Sequence, residues 1–98
     1  SKIENLLCLN EKIKQSFVYG DKKTYLVALI VSESNENRKE IEFFLENLNK
    51  TLSLVEKVKK FILIQEEFTI DNGMLTPTLK LKRKKILDKY KDDLEKLY

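Results

Sequence analysis

The chain has 98 residues, with 19 Lys and Arg against 16 Asp and Glu, a net charge of +3, and 42% apolar and 36% charged residues. That is enough for one compact domain and too little for two, and too apolar for a disordered tail. Having no histidine, the chain cannot supply a histidine base, a Ser-His pair or a histidine metal site. Its single cysteine, Cys8, rules out an internal disulfide or a cysteine-rich zinc site. Any chemistry carried here falls to lysine. No apolar run reaches the roughly 18 residues that span a bilayer, and no signal-peptide pattern is present, so a cytoplasmic location is expected.

Ile3, Leu6, Leu7 and Asn10 have the 3–4 spacing of a short helix, with Glu4 near its positive end. Cys8 beside it reads as a small core or half-buried thiol without function. Residues 13–19 read as a strand and 20–23 as a turn. Residues 25–31, Tyr-Leu-Val-Ala-Leu-Ile-Val, form an unbroken apolar run. Such a run implies cover on both faces and places this strand at the centre of a small sheet. From Asn35 the period becomes helical: Ile41, Phe44, Leu45, Leu48, Leu52 and Val55 recur with charged residues between them. A break is expected at 49–53, with a second short helix over about 54–60. Residues 61–64 read as a third strand, leading through 65–67 into a loop. Beyond Lys80, Ile86 or Leu87 with Tyr90, Leu94 and Leu97 mark a terminal helix. The fold class predicted is α+β: about three strands flanked by helices, ending in a C-terminal helix.

Residues 80–91 hold seven basic side chains against the single acid Asp88. Such a patch suits nucleic acid, an anionic membrane surface or a phosphate-rich substrate, or it is a solvated helix face. Only Tyr90 and Tyr98 are aromatic nearby, so there is no stacking platform for specific nucleic-acid recognition.

The chain is organised around residues 68–83, Phe-Thr-Ile-Asp-Asn-Gly-Met-Leu-Thr-Pro-Thr-Leu-Lys-Leu-Lys-Arg. Gly73 is expected at positive φ in a turn. Pro77 fixes its own φ and pushes Thr76 into an extended conformation, while Thr76 and Thr78 can bond the loop backbone or a ligand. Lys80 then stands on a rigid mount, as a compact cation with three donors suited to phosphate and carboxylate oxygens. Lys82 and Arg83 are read as making local backbone or acidic contacts, with a place near substrate phosphates as the less favoured alternative.

This stretch, above all residues 75–83, resembles the last core motif of the adenylate-forming enzymes, in the version typical of long-chain acyl-CoA synthetases. Ile3-Glu4-Asn5-Leu6-Leu7 is similar to the segment just after that family's inter-domain hinge. Residues 20–31 are similar to its paired strands, and Glu56-Lys57-Val58-Lys59-Lys60-Phe61 precedes the motif as it does there. One departure stands out: many adenylate-forming enzymes carry Gly immediately before the lysine, where this chain has Leu79, and the long-chain branch commonly shows an apolar residue there.

The resemblance implies that residues 1–98 are a C-terminal mobile lid domain, excised from its N-terminal adenylation domain, and leaves open whether Ser1 is native. It implies Lys80 as the catalytic lysine of acyl-adenylate formation, with Gly73, Thr76, Pro77 and Thr78 shaping the loop and positioning substrate. It further implies ATP and Mg²⁺ held mainly by the missing domain, and fatty acid and coenzyme A as substrates. Peripheral membrane association of the full-length enzyme is compatible with it. The chain lacks a Gly-rich phosphate cradle and a metal site of its own, so it is expected to be inactive alone. Two alternatives remain: a lid from another adenylate-forming enzyme, such as one using a carrier-protein thiol, and a non-enzymatic basic module for nucleic acid or anionic membrane.

Overall fold

A computed structural model describes residues 1–98, and its fold is α+β. Helix α1 (Lys2–Leu7) opens with a capping box: the Ser1 hydroxyl accepts from the Glu4 N–H while the Glu4 carboxylate accepts from the Ser1 nitrogen. Strands β1 (Gln15–Tyr19) and β2 (Leu26–Val31) form an antiparallel pair, joined across Gly20 and its turn. A 3₁₀ turn (Asn35–Asn37) leads into α2 (Arg38–Asn49), which carries the chain over to β3 (Val58–Ile64), parallel to β2. After an irregular segment, α3 (Arg83–Glu95) closes the domain.

The sheet order β1-β2-β3 puts β2 at the centre. Its side chains alternate between two cores, as the pleat requires. Ala28 and Ile30 face Ile3 and Leu7 of α1 and Ile41 and Leu45 of α2. Val27, Leu29 and Val31 face Phe17, Phe68, Met74 and the Ile86, Tyr90, Leu94 stripe of α3. The unbroken apolar run is therefore the shared wall of both cores, and α3 is fixed to it by one stripe.

Two expectations are corrected. The second helix over 54–60 does not form. Residues 51–57 are a string of turns, and β3 starts at Val58 instead of Phe61. Leu54 and Val55 are 75% and 69% exposed, so a helix there would have had no apolar face to bury. Instead the Asn49 side chain takes both backbone groups of Val58, donating to its carbonyl at 2.8 Å and accepting from its N–H at 3.0 Å. That pair starts the strand directly behind α2.

Cys8 is exposed, not a core or half-buried thiol. Ile3 and Leu7, four residues apart, take the inward face of α1, and Cys8 follows Leu7 as the C-cap, turned away from it by roughly the 100° of one helical step. Its sulfur lies 3.5 Å from the Ser16 hydroxyl.

Candidate functional site

The segment that leads to Lys80 has no regular structure, yet it is pinned at each end. Gln15 of β1 acts as a strand would, accepting from the Phe68 N–H at 2.7 Å and donating to the Phe68 carbonyl at 2.9 Å. Asn72 holds the following turn by accepting from the N–H groups of Thr69 and Met74 and donating to the Glu67 carbonyl. Gly73 sits at φ 78° with open space around a would-be Cβ, so it is backbone conformation and not room that calls for glycine there.

Residues 75–81 then form a tight hairpin. Leu75 and Leu81 make an antiparallel bridge. The Thr76 N–H donates to the Lys80 carbonyl and the Leu79 N–H to the Thr76 carbonyl, each at 2.8 Å. Pro77 occupies the first corner of this turn, where its fixed φ fits. Thr78 at the second corner is not at positive φ, whereas Leu79 is, at φ 65°. A type I turn followed by a left-handed residue that closes a bulge is the standard three-residue hairpin, and its left-handed position favours glycine. The Thr76 hydroxyl bonds the Thr78 hydroxyl at 3.1 Å and accepts from the Lys80 N–H at 3.1 Å. Both threonines therefore work within the loop.

Lys80 emerges from this hairpin exposed, and no carboxylate of the chain pairs with it. It borders a groove of about 530 Å³ that is also lined by Glu4, Cys8, Lys14, Leu79 and Arg83. Lys14 is shared between Glu33 and Glu67. Arg83 is bound by Glu4, an acidic contact of the kind its sequence position suggested, and Lys82 N–H donates to the Met74 carbonyl. Of the lysine and arginine side chains lining the groove, Lys80 is thus the one without a carboxylate partner, while the Lys82 ammonium, outside that lining, is unpaired as well.

Sequence reasoning placed Glu4 as a helix-end charge and missed its main engagement. Glu4 is only 5% exposed. Burial pushes its carboxyl up, but the hydrogen bonds from Arg83 and from the Val18 N–H, with the Arg83 charge, outweigh this and hold it below the usual carboxylate range. The Ser1-x-x-Glu4 spacing is a signal that could have shown the capping box, but no local signal joins Glu4 to a partner 79 positions downstream. No three His, Cys, Asp or Glu side chains are grouped so as to hold a metal ion.

The profile of the AMP-binding enzyme C-terminal domain matches residues 1–98. A long-chain-fatty-acid–CoA ligase of Mycobacterium tuberculosis is 30% identical over 98% of this chain and 20% of its own length. A chloroplastic long-chain-fatty-acid–[acyl-carrier-protein] ligase of Arabidopsis thaliana is 32% identical over 99% of this chain and 15% of its own. Among solved structures, the A domain of a carboxylic acid reductase from Segniliparus rugosus, in complex with AMP and a co-purified carboxylic acid, superposes with a TM-score of 0.86. It is 28% identical, and the match covers all of this chain and 17% of that one. The chain spans at most about a fifth of the length of these proteins.

Proposed function

The chain belongs to the AMP-binding enzyme C-terminal domain family of the adenylate-forming enzymes, and from that membership we propose that it is the mobile lid of an ATP-dependent long-chain fatty acid–CoA ligase. In this reading Lys80 is the catalytic lysine of the first half-reaction, in which carboxylate and ATP give acyl-adenylate and pyrophosphate. The observation that carries it is the unpaired Lys80 ammonium on a hydrogen-bonded hairpin.

A carboxylate approaching an α-phosphate meets like charge, and a cation between them relieves the repulsion. An ammonium group can bridge carboxylate and phosphate or ribose oxygens without a planar geometry. The turn at Pro77 and the bonds of Thr76 fix the root of the side chain, so the charge arrives already positioned, which is where electrostatic stabilisation gains most. ATP and Mg²⁺ belong to the N-terminal adenylation domain of the same polypeptide, which this domain covers for adenylation. It then rotates to offer another face for thioester formation with coenzyme A. The carrier-protein ligase among the relatives supports a second reading, in which the acceptor thiol belongs to an acyl carrier protein. Supplying the full-length enzyme with each acceptor separates the two.

The test of Lys80 is kinetic. In the full-length protein, Lys80→Ala should lower adenylation by about 10²-fold or more, with Lys80→Arg rescuing little. Thioester formation from preformed acyl-adenylate should be largely spared, because a rotated lid has carried Lys80 away. An equal fall in both half-reactions would make Lys80 a structural lysine and overturn the reading.

A further inference from the structure

Helix α3 breaks the usual rules for a helix start. Its first three residues are Arg83, Lys84 and Lys85, its N-cap is Lys82 with no side-chain cap, and its first turn contains no acid. Positive charge at the positive end of a helix dipole is unfavourable. The missing carboxylate comes through space from α1. Glu4 accepts from Arg83 Nη1 at 2.9 Å through one oxygen and from Nη2 at 2.6 Å through the other. The first oxygen also accepts from the Val18 N–H of β1 at 2.8 Å, and the second from the Ser1 nitrogen at 3.2 Å. The Arg83 guanidinium lies over the Phe17 ring, 5.5 Å from its centre. One side-chain pair therefore joins α1, β1 and the start of α3.

An ion pair with one partner this deeply buried is poor evidence for net stability, because desolvation offsets most of the attraction. What a two-pronged pair secures is geometry. Arg83 lies three residues beyond Lys80. Between them the Lys82 N–H is tied to Met74 and the Lys80 carbonyl to Thr76, so the backbone has no slack. Fixing Arg83 fixes the root of the hairpin. The pair also neutralises Arg83, leaving the Lys80 charge uncontested in the groove that both border.

We infer that Glu4 and Arg83 are positioning residues for Lys80, a strap between α1 and the hairpin root that sets where the ammonium group stands during adenylation. This rests on the proposed role of Lys80. Local violations of helix rules are expected where a site makes demands of its own, and here the violation and the strap coincide.

The experiment places Arg83→Met, Arg83→Lys and Glu4→Gln in the full-length protein, each alone and combined with Lys80→Ala. Both half-reactions and thermal unfolding are measured. Arg83→Met and Glu4→Gln are expected to lower adenylation about 10- to 10²-fold through misplacement of the ammonium group. Thioester formation from preformed acyl-adenylate should stay unchanged. Arg83→Lys, keeping the charge without the fork, should recover part of the loss. In the Lys80→Ala background none of the three should lower adenylation further, since no ammonium remains to be placed. A merely structural strap would instead slow both half-reactions alike and add to the loss in that background, which overturns the inference. Should Lys80→Ala fall as expected while the Arg83 and Glu4 variants match wild type, the inference alone fails. If Lys80→Ala leaves adenylation intact, both it and the lid-lysine reading fail.

Discussion

Leu79 is the residue whose backbone and side chain disagree. It adopts φ 65° with its side chain 67% exposed, so it gains little burial in return for a conformation that glycine tolerates far better. The hairpin geometry explains why glycine is common at this position among adenylate-forming enzymes: the bulge after a type I turn needs a left-handed residue. For a leucine that conformation costs about 1–2 kcal/mol, and the extra freedom of glycine in the unfolded chain returns about 0.5–1 kcal/mol of it. In the isolated domain Leu79→Gly should therefore raise the unfolding free energy by roughly 0.5–1 kcal/mol in urea titrations. Leu79→Asn should fall between the two, and Leu79→Val below wild type, because a β-branched side chain fits the left-handed region worst. A Gly variant less stable than wild type would mean that the Leu79 side chain is held by contacts that its exposure does not suggest.

At the scale of elements, β3 depends on one side chain. Val58 is fully buried, and its N–H and carbonyl find their partners in Asn49 at the end of α2. Asn49→Ala would orphan both, at about 1–3 kcal/mol for each buried group left unpaired. A fall of about 2–3 kcal/mol in urea unfolding is expected, with an unchanged denaturant slope. Asn47→Ala removes only an exposed bond to the Phe43 carbonyl and serves as the control, expected within about 0.5 kcal/mol of wild type. The same pair shows where the sequence was legible. The central strand, the α2 stripe and the α3 stripe could be read because burial imposes a period on them. The turns at 51–57 could not, since Leu54 and Val55 continue a helical spacing that gives no sign of the bonds Asn49 makes to Val58, nine positions on. The tight loop at 75–78 was legible from Pro77 and the threonines, but its closure as a hairpin by the Leu75–Leu81 bridge, with Leu79 left-handed, was not. The bidentate ties of Gln15 to Phe68 and of Glu4 to Arg83 were not, since each joins residues more than 50 positions apart.

For the molecule as a whole, the pH dependence of stability follows from which groups the fold perturbs. Glu4, Glu56, Glu66 and Glu95 are all held below their ordinary value of 4.5. Hydrogen bonds from Ser53, from Lys89 and from Tyr19 are the leading causes for the last three. A depressed carboxyl contributes stability that is present above its unfolded value and lost as pH falls through its folded value. Tyr19, Tyr90 and Tyr98 are raised above 10.0, Tyr19 chiefly by its bond to Glu95 and the other two by burial. Their contribution is present below 10.0 and lost as pH rises through the folded values. No histidine titrates in between. The melting temperature of the isolated domain should thus be flat between these limits and fall on either side. Glu4→Gln should lower the plateau, and its deficit against wild type should close as pH drops below 4.5. A deficit that persists undiminished in acid would show that the Glu4 charge is not what matters. The sheet that unites these parts has β2 on one side of β3 and no strand on the other. Val-Lys-Lys-Phe-Ile-Leu-Ile is, but for Lys59 and Lys60, the composition of a segment that stacks into cross-β fibrils. Both lysines are exposed on that open edge. Beyond Val58, whose N–H and carbonyl Asn49 already occupies, they give any second strand adding there two like charges to bury, which disfavours pairing between copies of the domain along this edge.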